Sequence, residues 1–201
     1  DDCDVALVEG IYAGLTDAAG EAGAVIVGGD TTRSARGIVL DVTVVGEVIH
    51  GRYLARRGAQ AGDLLVVTGS TGLSAAGLWA LEHGHSAPAL AQAHFRPHAR
   101  IAEGQWLAAC EAVQAMLDVS DGVAQDAGHL AEAMNLGVDI RLEQVPVDPE
   151  LDRFCARHKL DPHAFTLAGG EDYELLFALR TDDPERCLDE FQRQFPVLPH
   201  I

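Results

Sequence analysis

Three short turns in this chain combine acidic side chains with glycine. The first is Gly28-Gly29-Asp30-Thr31-Thr32-Arg33-Ser34. Its glycines let the backbone come close to a ligand, and its threonine hydroxyls and Arg33 suit phosphate oxygens. The plainer alternative is a turn in which Asp30 bonds its own backbone. The second is Asp118-Val119-Ser120-Asp121-Gly122, where an apolar run of strand type gives way to a helical pattern. Such a junction aims backbone N–H groups and the positive end of a helix at an anion. Two carboxylates three residues apart also suit a hard cation such as Mg²⁺, which takes oxygen ligands. Here the plainer alternative makes Ser120 an ordinary helix cap. The third is Gly169-Gly170-Glu171-Asp172-Tyr173-Glu174, and its plainer account is a tight turn beside a solvated strand edge.

The histidines read differently. His83 and His85 share one loop, His94 and His98 straddle Pro97, and surface or packing roles fit both pairs. Ser74 and Ser120 have no histidine partner legible in the sequence. A GxxxxGK[ST] loop and the protein-kinase signatures are absent, so a nucleotide site here is of another kind. Acidic residues outnumber basic ones 31 to 14, for a formal charge of −17. That balance excludes bare electrostatic binding of nucleic acid or of an anionic membrane. A phosphate ligand on such a chain needs metal ions to reverse the local field.

The elements that must carry these turns follow from periodicity. The chain has 201 residues, 48% of them apolar, enough for one ordinary domain or two smaller ones. Residues 4–21 carry an amphipathic helical pattern closed by Gly23. Residues 24–27 and 38–48 are apolar and β-branched, and predict strands. A boundary is expected near 50–63, a polar and basic stretch broken by Gly58 and Gly62. Beyond it a strand is predicted over 64–67, a turn over 68–72 and a helix over 73–82. A loop over 83–88 and a helix over 98–110 follow. A strand over 113–119 then leads into a helix whose apolar face is Val123, Ala127, Leu130, Ala131 and Met134, stopped by Gly137. Residues 138–142 predict a strand, 149–168 a helix broken at Pro162, 173–179 a strand and 184–194 a last helix. The four cysteines form no CxxC pair, which disfavours a zinc ribbon or a disulfide scaffold and fits a reducing compartment. No apolar stretch approaches bilayer length and no basic-then-apolar leader opens the chain, so a cytoplasmic protein is expected. Both ends read as cut: residue 1 is Asp, and residues 195–201 stop without a closing turn.

Taken together, the segments GGDTTRS (28–34), ARRGAQAGDLLVVTGSTGLSAAGL (55–78), LDVSDGVAQDAGHLAEA (117–133) and GGEDYELLF (169–177) resemble the thiamine-monophosphate kinase family. That family belongs to the ATP-using aminoimidazole ribonucleotide synthetase-like superfamily. The resemblance implies an α+β, two-domain fold of that superfamily, with mixed sheets packed by helices and present here as a truncated portion. Residues 1–52 would be the latter part of the N-terminal ATP- and metal-binding domain, and 53–201 most of the C-terminal α/β domain. It implies ATP-dependent phosphorylation of thiamine monophosphate to thiamine diphosphate with several Mg²⁺ ions, in a homodimer. By motif, Asp30, Asp118 and Asp121 are the expected metal ligands. Gly29, Asp30, Arg56 and Ser120 are the expected ATP contacts, and Glu171 the expected contact to thiamine monophosphate. The family's Gly-Asp-Asp type motif and its C-terminal aromatic contact do not occur in these residues. Two other readings stand beside this one: a superfamily synthetase of aminoimidazole ribonucleotide or selenophosphate type, and a non-catalytic acidic module that binds metal.

Overall fold

The computed structural model describes residues 4–48, 52–182 and 184–195. The chain divides into two compact units, residues 1–47 and 48–201. In the first, α1 spans Val5–Glu21, begun by Asp4, whose carboxylate accepts the Ala6 N–H at 3.0 Å. Gly23, at φ +66°, ends it as the sequence predicts, with the Ala24 N–H donating to the Ala19 carbonyl. Among the described residues, 24–27 and 38–48 form no strand ladder, contrary to the pattern. The physical reason is the lack of a partner: β-branched composition suits a half-buried pleated surface, and here Val27 and Val45 are 94% and 90% exposed.

The second unit is built on a three-stranded sheet. Its strands are β1 (Leu64–Val67), β2 (Val113–Val119) and β3 (Glu174–Leu179), in the order β1-β3-β2 and antiparallel throughout. The helices are α2 (Leu73–Glu82), α3 (Pro88–Phe95), α4 (Ile101–Ala109), α5 (Val123–Glu132), α6 (Pro149–His158), α7 (Pro162–Ala168) and α8 (Pro184–Gln194). β3 is apolar on both faces because both faces are covered. Phe177 and Leu179 pack with Leu107 of α4 and Leu188 and Phe191 of α8, while Leu176 and Ala178 meet the α5 side. A register shift between Val113 and Ala115 turns β2 over, so that Val113 faces α8 while Ala115, Leu117 and Val119 face α5. Helices α2, α3 and α6 bury a separate cluster of Ala76, Ala80, Leu90, Leu151 and Phe154.

Three further details depart from the sequence pattern. Helix α3 lies in a stretch that carried no helical expectation, because Leu90 is its one buried residue and no apolar period announces it. Helix α5 ends at Glu132 and the chain turns away at Asn135, in the left-handed region at φ 56°, with the Leu136 N–H on the Ala131 carbonyl; Gly137 lies beyond the stop. Residues 138–142 form no strand, and Leu142–Gln144 is a 3₁₀ turn. The expected break at Pro162 is present as a full helix restart, with left-handed Lys159 ending α6 and Asp161 capping α7 through the His163 N–H at 2.9 Å. Among the described residues no helix is long and apolar enough to cross a membrane.

Candidate functional site

Strand β2 delivers Asp118, Val119 and Ser120 to a sharp turn at Asp121-Gly122, and α5 leaves from it. The helix start carries no side-chain cap from Ser120; Gly122, at φ 109°, holds the cap position. The turn is closed from inside the helix. The Asp126 carboxylate accepts the Asp121 N–H at 3.0 Å and the Gly122 N–H at 3.1 Å through one oxygen, and is 2% exposed. A buried carboxylate at the start of a helix is favourable there, since it meets unpaired N–H groups and the positive helix end.

The loop 169–173 docks directly on this turn. The Glu171 N–H donates to the Ser120 carbonyl and the Tyr173 N–H to the Val119 carbonyl, both at 2.9 Å. Gly170 is required by the approach: a Cβ there would lie 2.3 Å from the Ser120 carbonyl oxygen. The left-handed backbone of Glu171 (φ 68°) and Tyr173 (φ 54°) then sends the acidic side chains of this segment to different places. Asp172 turns inward and accepts the Gly72 and Ser74 N–H groups at 2.6 and 3.0 Å, holding the start of α2. Burial pushes its carboxyl up to about 6, against the opposing pull of those backbone donors. Glu174 is also buried, bonded to the Thr68 hydroxyl at 2.6 Å and bidentate to Arg100 at 2.8 and 2.7 Å. Burial alone would lower the Arg100 pKa, but Glu174 and Glu103 outweigh it and raise it. Glu171 is left as the exposed carboxylate of the loop. Burial also raises the Tyr173 phenol, and the neighbouring Glu171 and Asp118 charges add to the shift.

Beside the turn lies a cleft of about 310 Å³, lined by Arg56, Ser120, Asp121, Asp126, His129 and Glu132. Arg56 reaches it because the Ala55 carbonyl accepts the Met116 N–H at 3.1 Å, continuing the edge of β2. Gly58 makes that path passable: a Cβ there would meet the Gln114 carbonyl oxygen at 2.3 Å. One ligand atom from each of Asp121, Asp126 and His129 lies within 4.8 Å of the others. The two carboxylates fit a hard divalent cation that takes its remaining ligands from phosphate and water. The imidazole suits Mg²⁺ less; its Nε2 stands 3.9 Å from the Asp121 carboxylate.

The structure therefore brings Arg56, Ser120 and Asp121 to one cleft and fixes Glu171 to the same turn. Asp118 stands apart from the group of three, on β2 opposite Leu175, with its charge felt by Tyr173. In the first unit, the Asp30 carboxylate accepts the Thr31 N–H at 2.8 Å, the self-bonded turn of the plainer reading, and Gly29 passes the Tyr12 hydroxyl. Asp126 and His129 were not anticipated. Their signal was available: an aspartate at a core position of α5's apolar face, followed three residues later by a histidine. Ser74 does have a histidine neighbour, with its hydroxyl 3.0 Å from His94 Nδ1, and His83 and His85 stack on Trp79.

Residues 60–196 match the AIR synthase related protein, C-terminal domain, and residues 1–48 the N-terminal domain of the same family. The chain belongs to the AIR synthase-related family. Among curated members, the thiamine-monophosphate kinase of Aquifex aeolicus is 36% identical over 182 residues, covering 88% of this chain and 58% of that protein. The thiamine-monophosphate kinase of Mycobacterium tuberculosis is 38% identical over 174 residues, covering 85% of this chain and 50% of its own length. This AIR synthase-related chain thus spans between half and three fifths of those relatives. An Aquifex thiamine-monophosphate kinase structure superposes with a TM-score of 0.77 at 32% identity, covering 90% of this chain and 61% of that one. A structure of AaThiL complexed with AMPPCP and TMP superposes at 0.78 with 32% identity, covering 93% and 59%. The hydrogenase maturation protein HypE of Escherichia coli, at 22% identity and a TM-score of 0.57 over 70% of this chain and 42% of its own, shares the fold.

Proposed function

We propose that this chain is part of a thiamine-monophosphate kinase, which phosphorylates thiamine monophosphate to thiamine diphosphate with ATP. The observation that carries the reading is the docking of residues 169–173 on the Val119–Asp121 turn. It fixes Glu171 to the same backbone that presents Ser120 and Asp121 to the Arg56 cleft. Relatives bearing that name, one with AMPPCP and TMP bound, support it. In this reading residues 1–52 belong to the N-terminal ATP- and metal-binding domain and 53–201 to the C-terminal domain. The protein acts as a cytoplasmic homodimer.

The acceptor is a phosphate monoester, largely ionised near neutral pH, so its oxygen needs no general base. The obstacle is bringing two anions together: one pair of like charges at ~4 Å repels by ~4 kcal/mol at an effective dielectric of ~20. Mg²⁺, when bound, offsets that repulsion; in this cleft Asp121 with Asp126 beside it would hold it, and Asp118 and Asp30 are metal ligands by motif. Arg56 places a permanent positive charge at the cleft, where charge on the transferring phosphoryl group is stabilised. Gly29 and Ser120 contact the nucleotide, and Glu171 faces the cationic heterocycle of thiamine.

The test is steady-state formation of thiamine diphosphate from thiamine monophosphate and MgATP by the full-length protein of which this chain is part and by its Glu171→Gln variant. Wild-type product formation is expected, with the variant losing affinity for thiamine monophosphate several-fold while its ATP affinity stays within twofold. Turnover of an aminoimidazole ribonucleotide precursor or of selenide, with none of thiamine monophosphate, refutes the activity. Equal losses for both ligands remove Glu171 from the thiamine side.

A further inference from the structure

Cys110 and Cys187 are 77 positions apart in the chain, yet their sulfur atoms lie 3.1 Å apart. Core packing delivers one of them: Cys187, Leu188 and Phe191 form the buried face of α8 against Leu107, Phe177 and Leu179. The other is anchored through its backbone where α4 ends. The Cys110 N–H bonds the Trp106 and Leu107 carbonyls, and its own carbonyl accepts the Arg52 guanidinium at 2.8 Å. Cys110 is half-buried and Cys187 buried, so a small oxidant reaches the former first.

We propose that Cys110 and Cys187 are a redox-active dithiol that closes to an intramolecular disulfide when a low-molecular-mass disulfide is the oxidant. The roles of the two sulfurs are unequal. Burial pushes the Cys187 thiol up to about 12, and its hydrogen bond to Cys110 adds to the shift. Cys187 is the buried sulfur and Cys110 the one an oxidant reaches, so Cys110 is the attacking sulfur and Cys187 the resolving one. In the first step the Cys110 thiolate attacks one sulfur of the oxidant RSSR. The S–S bond breaks, a Cys110–SR bond forms, and RS⁻ leaves and takes up the proton lost by Cys110. In the second, the Cys187 sulfur attacks Cys110 Sγ, its proton passes to the departing RS⁻, and the protein disulfide forms. Two protein thiols and one RSSR become one protein disulfide and two RSH. The sulfurs must approach by about 1 Å to reach bonding distance, ~2.05 Å. The bond ties α8 to the end of α4 and closes a long loop, which restricts the unfolded chain and holds the last helix on the sheet.

The experiment treats the intact chain, with its four cysteines, with oxidised glutathione, using Cys110→Ser and Cys187→Ala for comparison. In the wild type, titratable thiols are expected to fall from four to two and the intact mass by two hydrogens. Digestion should yield one peptide pair joined through Cys110 and Cys187, and Tm should rise by on the order of 10 °C. Cys187→Ala should stop at a glutathione adduct on Cys110, and Cys110→Ser should keep its three thiols. Four persisting thiols, a bond to Cys3 or Cys155, or a wild-type adduct on Cys110 that never resolves would each overturn the proposal.

Discussion

Asp172 offers a direct contest between burial and helix-start stabilisation of a carboxylate. It is 9% exposed, and its two oxygens take the N–H groups of Gly72 and Ser74. Those donors favour the charged form and burial disfavours it. Burial prevails, lifting the carboxyl from 3.8 to about 6. The folded state thus binds a proton that the unfolded state has released between those two values. Stability associated with Asp172 is complete below pH 3.8 and is lost as pH rises through about 6. The whole span is worth ~3 kcal/mol, and ~2 kcal/mol of it falls between pH 4.5 and 7.5. Asp172→Asn keeps the shape but accepts through one oxygen only, leaving one N–H poorly paired. The neutral amide does not titrate, and below about pH 6 the protonated wild-type carboxyl shares its single-acceptor pairing, so the variant is the pH-independent reference. Urea unfolding of both proteins at pH 4.5, 5.5, 6.5 and 7.5 gives the difference in stability at each point. The wild-type advantage should shrink by ~2 kcal/mol across that range. A constant advantage, or one that grows with pH, would show that the α2 start stabilises the carboxylate more than burial penalises it.

Two substitutions test how the turns are held. Gly170→Ala places a Cβ 2.3 Å from the Ser120 carbonyl oxygen, so it should cost ~1–3 kcal/mol in urea unfolding and lower turnover by separating the two turns; unchanged stability would mean that the loop can shift freely. Arg100→Met leaves Glu174 buried without its bidentate partner, and a loss of ~3–5 kcal/mol is expected by the same assay. A loss under ~1 kcal/mol would show that Thr68 alone satisfies that carboxylate.

Much of the second unit was legible in the sequence because its elements satisfy themselves locally. Helix α5 announces its buried face by period, and Pro162 announces the break between α6 and α7. Strand β3 reads as an apolar run because both of its faces are covered. The strands expected over 24–27 and 38–48 failed for the opposite reason: a strand exists only with a partner, and composition does not supply one. The same distinction separates the parts of the site. The sequence by itself determined which residue types are available: the acidic turns at 28–34, 118–122 and 169–174, the glycines between them, and the charge that calls for cations. Only the tertiary structure decided what each carboxylate does. Asp172 and Glu174, two residues apart, go to a helix start and an arginine, while Glu171 between Gly170 and Asp172 stays at the surface. Asp126, which no motif singled out, closes the turn, and Cys110 meets Cys187 across 77 positions. A side chain's role depends on its burial and on partners distant in sequence, and those are fixed by packing, not by spacing along the chain.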